Sequence, residues 1–211
     1  MMLEAKNIEF HYNPKQKFDL PDIQLSQGEQ LLILGKSGSG KTTILNMLGG
    51  LLKPLNGEIK IGDTPLYSLK GASLDKFRGK NIGIIFQRPH ILEPLTVLEN
   101  LSIANFFSGT KGDKNENLLK ELGIFEKRNA KVNTLSEGEA QRLSIARALA
   151  NSPKVILADE PTASLDDENA ANVVKLLKEQ AEKYNAVLII VTHDQRVKDH
   201  ISNQITIGGE S

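Results

Sequence analysis

The sequence predicts an α/β fold: a mostly parallel sheet covered on both faces, with an antiparallel β portion at the N-terminus and an inserted helical segment. Three observations predict it. Short apolar runs, Gln30–Leu34, Val155–Ala158 and Ala186–Val191, alternate with stretches of helical spacing. The first 34 residues read as short strands with no helix between them. Residues 88–150 carry helical patterns and no convincing strand.

Taken in order, LEAKNIEFHY and KFDLPDIQLS are strand-like and separated by the turn signal Asn13-Pro14. Ser26–Glu29 is a second turn, and Gln30–Leu34 is a buried strand ending at Gly35. From Lys41 to Leu52 the apolar residues Ile44, Leu45, Leu48, Leu51 and Leu52 fall at helical spacing, closed by Gly49-Gly50 and Pro54. Gly57–Ile61 is a strand, Ala72–Arg78 a short helix and Ile82–Phe86 a strand. Helices follow at Val97–Phe107, Asn115–Leu122 and Glu137–Ala150. The tail alternates again: strand Val155–Ala158, helix Asp167–Tyr184, strand Ala186–Val191, helix Asp194–His200 and strand Gln204–Ile207. The expectation is one domain over 1–211, with an α/β core from 1–87 and 151–211 and a helical subdomain from 88–150. No regulatory domain is expected after the last strand.

Composition narrows the function. Lys+Arg and Asp+Glu are each 26, so the formal charge is zero and a uniformly basic nucleic-acid binder is excluded. Aromatics are 5 % with no Trp, too few for a base-stacking platform, so nucleic acid is not expected as a partner. Cysteine is absent, which removes disulfides, thiolate metal sites and Cys nucleophiles. No apolar run reaches the roughly 18–20 residues of a bilayer span, and the N-terminus lacks the pattern of a signal peptide. A cytoplasmic location is expected.

The chemistry gathers at three places. Gly35-Lys36-Ser37-Gly38-Ser39-Gly40-Lys41-Thr42 matches G-x-x-x-x-G-K-[ST] between an apolar strand and a helix. Glycines there let backbone amides turn toward phosphate oxygens, and the helix N-terminus adds partial positive charge. Lys41 supplies a full charge to the β- and γ-phosphates of a nucleotide such as ATP, and the Thr42 hydroxyl suits Mg²⁺. The strand Val155–Ala158 runs into Asp159 and Glu160, the first a Mg²⁺ partner and the second a proton acceptor for an attacking water. His193 follows Thr192 at the end of a parallel strand, on the edge where α/β ligands bind. Leu135-Ser136-Glu137-Gly138-Glu139 reads locally as a capping box, Ser136 as N-cap and Glu139 at N3. That leaves Gly138 unexplained, since glycine in a first turn costs stability; it allows something to approach closely.

Together these residues resemble the ABC-type ATPases over essentially the whole chain. Gly35–Thr42 resembles their Walker A loop, which with Thr43 makes the phosphate cradle; Val155–Asp159 resembles the Walker B strand, with Glu160 as catalytic carboxylate. Leu135–Glu139 resembles the LSGGQ signature, Gln87 the Q-loop, Ser164-Leu165-Asp166 the D-loop and His193 the switch histidine. Tyr12 falls where the family sets an aromatic against adenine. The resemblance implies a head-to-tail homodimer with two ATP molecules, each between Gly35–Thr42 of one copy and Ser136–Glu139 of the other, Asp166 lying at the same interface. It implies ATP hydrolysis in which Lys41 and Mg²⁺ stabilise phosphate charge, Gln87 senses Mg²⁺ and His193 holds the γ-phosphate. It also implies integral membrane permease subunits as partners and a peripheral position on the cytoplasmic face of the membrane. ADEPTASLD and LIIVTHD resemble the branch serving lipoprotein release and macrolide-type efflux. A solute-importer subunit, a regulatory module and a soluble DNA-repair ATPase are the alternatives. The last usually inserts a coiled coil, and no sustained heptads separate Thr42 from Leu135.

The signature departs from the family pattern: Glu137 replaces a glycine and Glu139 a glutamine. A carboxylate at 137 sits near where a γ-phosphate would lie. Two like charges about 8 Å apart repel by about 2 kcal/mol at an effective dielectric near 20. Glu137 is therefore expected to weaken closure of the dimer unless a basic residue from the other copy neutralises it.

Overall fold

The computed structural model describes residues 1–12, 17–163 and 165–208, with residues 17–19 described by their backbone alone. The turn expected at Asn13-Pro14, and Ser164 of the expected D-loop, lie outside the described residues. Among these residues ten strands form two sheets, accompanied by six α-helices.

The antiparallel sheet combines β1 (Leu3–His11), β2 (Lys17–Asp19), β3 (Ile23–Leu25), β5 (Asn56–Ile61) and β6 (Thr64–Pro65). The run read as one strand over 17–26 is two. Glu9 pairs with Asp19 and Ala5 with Ile23, and between them Pro21 has no amide for the ladder. Asn7, at φ 51°, leaves regular strand geometry here, and its amide bonds Asp22 Oδ1 at 2.9 Å instead. The short β6 gave no apolar signal of its own.

The second sheet is wholly parallel in the order β10-β4-β9-β8-β7, from β4 (Gln30–Leu34), β7 (Ile82–Ile85), β8 (Val155–Asp159), β9 (Val187–Thr192) and β10 (Gln204–Thr206). Alternate residues of its central strands feed two different cores. Leu32, Leu34, Ile156, Ala158, Leu188 and Ile190 face one; Leu31, Ile33, Val155, Leu157, Val187, Ile189 and Val191 face the other. Burial on both faces is why these strands read as unbroken apolar runs. Helix α1 (Lys41–Leu48) and the antiparallel sheet cover the second core; α6 (Asp167–Tyr184) and the helical segment cover the first.

That segment contributes α3 (Val97–Ser108), α4 (Asn115–Glu121) and α5 (Glu137–Leu149), with α2 (Ala72–Asn81) preceding β7. Leu101, Leu119 and Leu143 share one core with Ile156 and Leu188, so the segment is packed onto the sheet. It leaves from the end of β7 and returns at the start of β8, neighbours with Ile85 opposite Ala158. Two helices end earlier or wind tighter than their periodicity predicts. α1 stops at Leu48 because Gly50 enters the left-handed region at φ 70°, and Leu51 is left exposed. Gln195–His200 is a 3-10 helix rather than an α-helix.

Candidate nucleotide site

The site is built on the C-terminal ends of β4, β8 and β9, which the parallel register brings to one edge. Asp159 pairs with Val191, and Leu34 with Thr192. The phosphate-type loop leaves β4 and opens α1. Gly40, at φ 95°, makes the final turn, and no side chain caps α1, so its first amides have no intrahelical or capping partner. A side chain at Gly35 would place its Cβ 2.4 Å from Ser39 Oγ and 2.9 Å from the Ile207 carbonyl oxygen, so only glycine fits.

Lys41 is buried, and its Nζ donates to the carbonyl oxygens of Gly35 at 2.8 Å and Lys36 at 3.0 Å. It also lies 3.2 Å from Glu160 Oε1. Glu160, at φ 47°, is held in that conformation by its amide, which donates to the Val191 carbonyl at 2.8 Å. Its Oε2 accepts from Thr192 Oγ1 at 2.6 Å and from the His193 amide at 3.2 Å, and its Oε1 lies 2.8 Å from His193 Nδ1. Burial pushes the Glu160 carboxyl up, but hydrogen bonds from His193, Thr192 and Lys41 outweigh it and hold the group below the usual range. Glu160 is therefore an ionised carboxylate.

Asp159 behaves in the opposite way. Burial raises it and the Glu160 charge adds to this, against a Thr42 hydrogen bond that lowers it. Thr42 Oγ1 donates to Asp159 Oδ2 at 2.9 Å, while Asp159 Oδ1 is buried with no protein partner. A lone carboxylate oxygen beside a hydroxyl is a hard-oxygen set of the kind Mg²⁺ takes. No cluster of three His, Cys, Asp or Glu side chains occurs among the described residues, so most of a Mg²⁺ shell here would come from phosphates and water.

A cavity of about 330 Å³ gathers Tyr12, Ser37, Gly38, Gly40, Lys41, Thr42, Thr43, Gln87, Glu160 and His193. Tyr12 stands exposed at its rim, its hydroxyl 3.2 Å from Thr43 Oγ1 and its ring edge-on to Phe10. Ser136, Gly138 and Asp166 lie elsewhere. They line a separate cavity of about 710 Å³ along α5 and α6 that shares no residue with the first. Ser136 and Glu139 form the expected capping box, Glu139 amide to Ser136 Oγ at 3.3 Å and Ser136 amide to Glu139 Oε2 at 2.8 Å. A Cβ on Gly138 would meet nothing within 4 Å, so its own chain gives no reason for glycine. Asp166 caps α6 through the Asn169 amide at 2.9 Å.

Sequence reasoning missed two threonines. Thr192 holds Glu160, and Thr162 Oγ1 donates to Asp194 Oδ2 at 2.8 Å, tying the loop after β8 to the loop after β9. Their only signal was a hydroxyl residue among carboxylates at strand ends.

A strand–loop–helix phosphate cradle, with two carboxylates and a histidine delivered by neighbouring parallel strands, defines a P-loop nucleoside triphosphatase. A family model described as ABC transporter matches residues 19–163. The chain is 35 % identical to the lipoprotein-releasing system ATP-binding protein LolD of Shewanella frigidimarina, over 98 % of this chain and 90 % of that one. It is 41 % identical to the putative hemin import ATP-binding protein HrtA of Staphylococcus haemolyticus (98 % and 97 % covered). To the bacitracin export ATP-binding protein BceA of Halalkalibacterium halodurans it is 39 % identical (98 % and 85 % covered). The dimeric structure of MJ0796, a bacterial ABC transporter cassette, superposes with a TM-score of 0.85 at 34 % identity, covering 98 % of this chain and 94 % of that one. A dimeric post-hydrolysis state of MJ0796 bound to ADP and Pi matches with the same TM-score at 33 % identity and the same coverage. The chain belongs to the ABC transporter ATP-binding family.

Proposed function

We propose that this chain binds and hydrolyses ATP on the cytoplasmic face of a membrane and powers a separate integral permease of the lipoprotein-release or efflux type. The observation that carries this reading is the convergence of the phosphate loop, Asp159, Glu160 and His193 on one sheet edge. Likeness to LolD and BceA supports the branch. No helix among the described residues is long and apolar enough to cross a membrane, and this reading assigns the membrane path to the permease.

In this mechanism Lys41 and the amides of residues 35–43 hold the β- and γ-phosphates. Thr42 and Asp159, with Gln87, would hold Mg²⁺, and the ion would supply neutralisation of charge on the phosphate oxygens. Glu160 orients the water and accepts its proton. The phosphate draws Lys41 away from Glu160, which removes a cation from the carboxylate and makes it more basic. His193, engaged with Glu160 through Nδ1, holds the γ-phosphate through its other nitrogen. Tyr12 stacks on adenine.

Two copies close head to tail, Ser136 and Gly138 of one over the phosphate loop of the other, with Asp166 at the same interface. The open space around Gly138 supports this, since an incoming anion needs room at that helix end. The helical subdomain, 88–150, meets the permease, and Gln87 at its start links metal to partner. The test is phosphate release by the purified chain, alone and with the membrane proteins that co-purify with it. Lys41→Ala should abolish release, whereas Gln87→Ala should keep much of the isolated rate yet lose stimulation by the permease. Equal release by the parent and Lys41→Ala overturns the assignment.

A further inference from the structure

Glu137 opens α5 with an exposed carboxylate that forms no hydrogen bond or ion pair among the described residues. Glu139 differs. Its Oε2 accepts from the Ser136 amide, and its Oε1 lies 3.4 Å from Lys127 Nζ. The other cations nearby are engaged too: Arg142 Nη1 donates to the Leu122 carbonyl at 3.2 Å, and Lys175 lies 3.9 Å from Glu179. Among the described residues the signature therefore carries one carboxylate, Glu137, that no cation balances.

Lys36 has the complementary form. Its carbonyl accepts from Lys41 at 3.0 Å, which fixes the loop, while its exposed ammonium has no partner among the described residues. It stands on the phosphate loop, which the head-to-tail reading sets against residues 136–139 of the other copy.

We propose that Glu137 of one copy pairs with Lys36 of the other when the dimer closes. The inference rests on the head-to-tail reading of the preceding subsection and adds a pair of residues that makes closure specific for a second copy of this chain. The pair removes the repulsion that an unbalanced Glu137 would exert on the γ-phosphate, and it occurs twice by two-fold symmetry. It also makes closure salt-sensitive, because both groups begin in water.

The test uses full-length chains in a Glu160→Gln background, with ATP, Mg²⁺ and sedimentation as the readout. Lys36→Glu and Glu137→Lys should each weaken ATP-driven dimerisation by about tenfold, two exposed pairs being lost per dimer. An equimolar mixture of the two variants should dimerise within about threefold of the parent, because a mixed dimer restores opposite charges at both positions. Lys36→Gln and Glu137→Gln run alongside should give smaller losses. Nucleotide affinity measured on dilute monomers separates damage to the cradle from damage to the interface. A parent that dimerises while both reversals leave it unchanged overturns the pair alone, as does a mixture no tighter than either variant by itself. A parent that stays monomeric at saturating ATP overturns the head-to-tail reading, and the pair with it.

Discussion

Lys41 Nζ lies 3.2 Å from Glu160 Oε1, and both side chains are buried. The cation that would grip phosphate and the carboxylate that would act on water are thus one ion pair across the cradle. Glu160→Gln should abolish turnover, by the roughly 10²–10⁴-fold that a positioned base contributes or more. It should leave ATP binding intact or tighter, since Lys41 no longer has an anion to leave, and should trap a dimer. Single-turnover phosphate release and a fluorescent-nucleotide titration read the two effects separately. Equal turnover would remove Glu160 from the role.

Asp159 combines a raised carboxyl with an orphaned, buried Oδ1, so in the absence of cation its charge opposes folding. A carboxyl raised above its unfolded value of 3.8 makes the folded state bind protons more tightly, so stability falls as pH rises through that window. Asp159→Asn should therefore raise the metal-free melting temperature by about 2–4 °C at neutral pH, equivalent to about 1 kcal/mol in a chain of this size. The same variant should lose the extra stabilisation that ATP gains on adding Mg²⁺. Thermal melts with ATP, with and without Mg²⁺, check both halves.

Tyr12 offers an exposed ring at the cavity rim. Tyr12→Ala should weaken ATP binding by about 1–3 kcal/mol if stacking here matches that on nucleic-acid bases. Tyr12→Phe keeps the ring and gives up the hydroxyl's contact with Thr43, so its affinity should stay near the parent's. Calorimetric titration distinguishes the two; an unchanged Ala variant makes Tyr12 a strand-end tyrosine only.

Asp194 is held down to about 2, chiefly by hydrogen bonds from Arg196, against burial, with Thr162 adding to the effect. A depressed carboxyl contributes stability that is present above its unfolded value of 3.8 and lost as pH falls toward about 2. Arg196→Met should lower the neutral-pH melting temperature and flatten that acid decline. Chemical denaturation across the window is the check, and an unchanged slope would assign the acid sensitivity to other groups.

The parallel sheet was legible because burial on two faces leaves an unmistakable apolar run, and the phosphate loop because its glycines answer to backbone geometry. The capping box at Ser136 was legible because both partners sit within one turn. What stayed hidden depends on contacts distant in sequence. Thr192 reaches Glu160 only through strand register, and Lys127 reaches Glu139 only through folding of the helical segment. Arg196, inside the 3-10 helix Gln195–His200, reaches Asp167 at the start of α6, a bond no periodicity encodes.

The helical segment leaves β7 and re-enters at β8, two strands lying side by side with Ile85 opposite Ala158. Its two ends are therefore pinned one strand apart, whatever lies between them. Asp159 and Glu160 follow directly from β8, and their spacing from Thr192 and His193 is fixed by β8–β9 pairing alone. Length and surface chemistry over residues 88–135 can drift without moving the strand-end groups of the cradle. The constraint is that α5 still offers Leu143, Ile145, Ala146 and Leu149 to the shared core. On the reading proposed above, partner choice and bond-breaking are written in different stretches of one chain, so evolution or an engineer can graft a new docking face onto an unchanged engine.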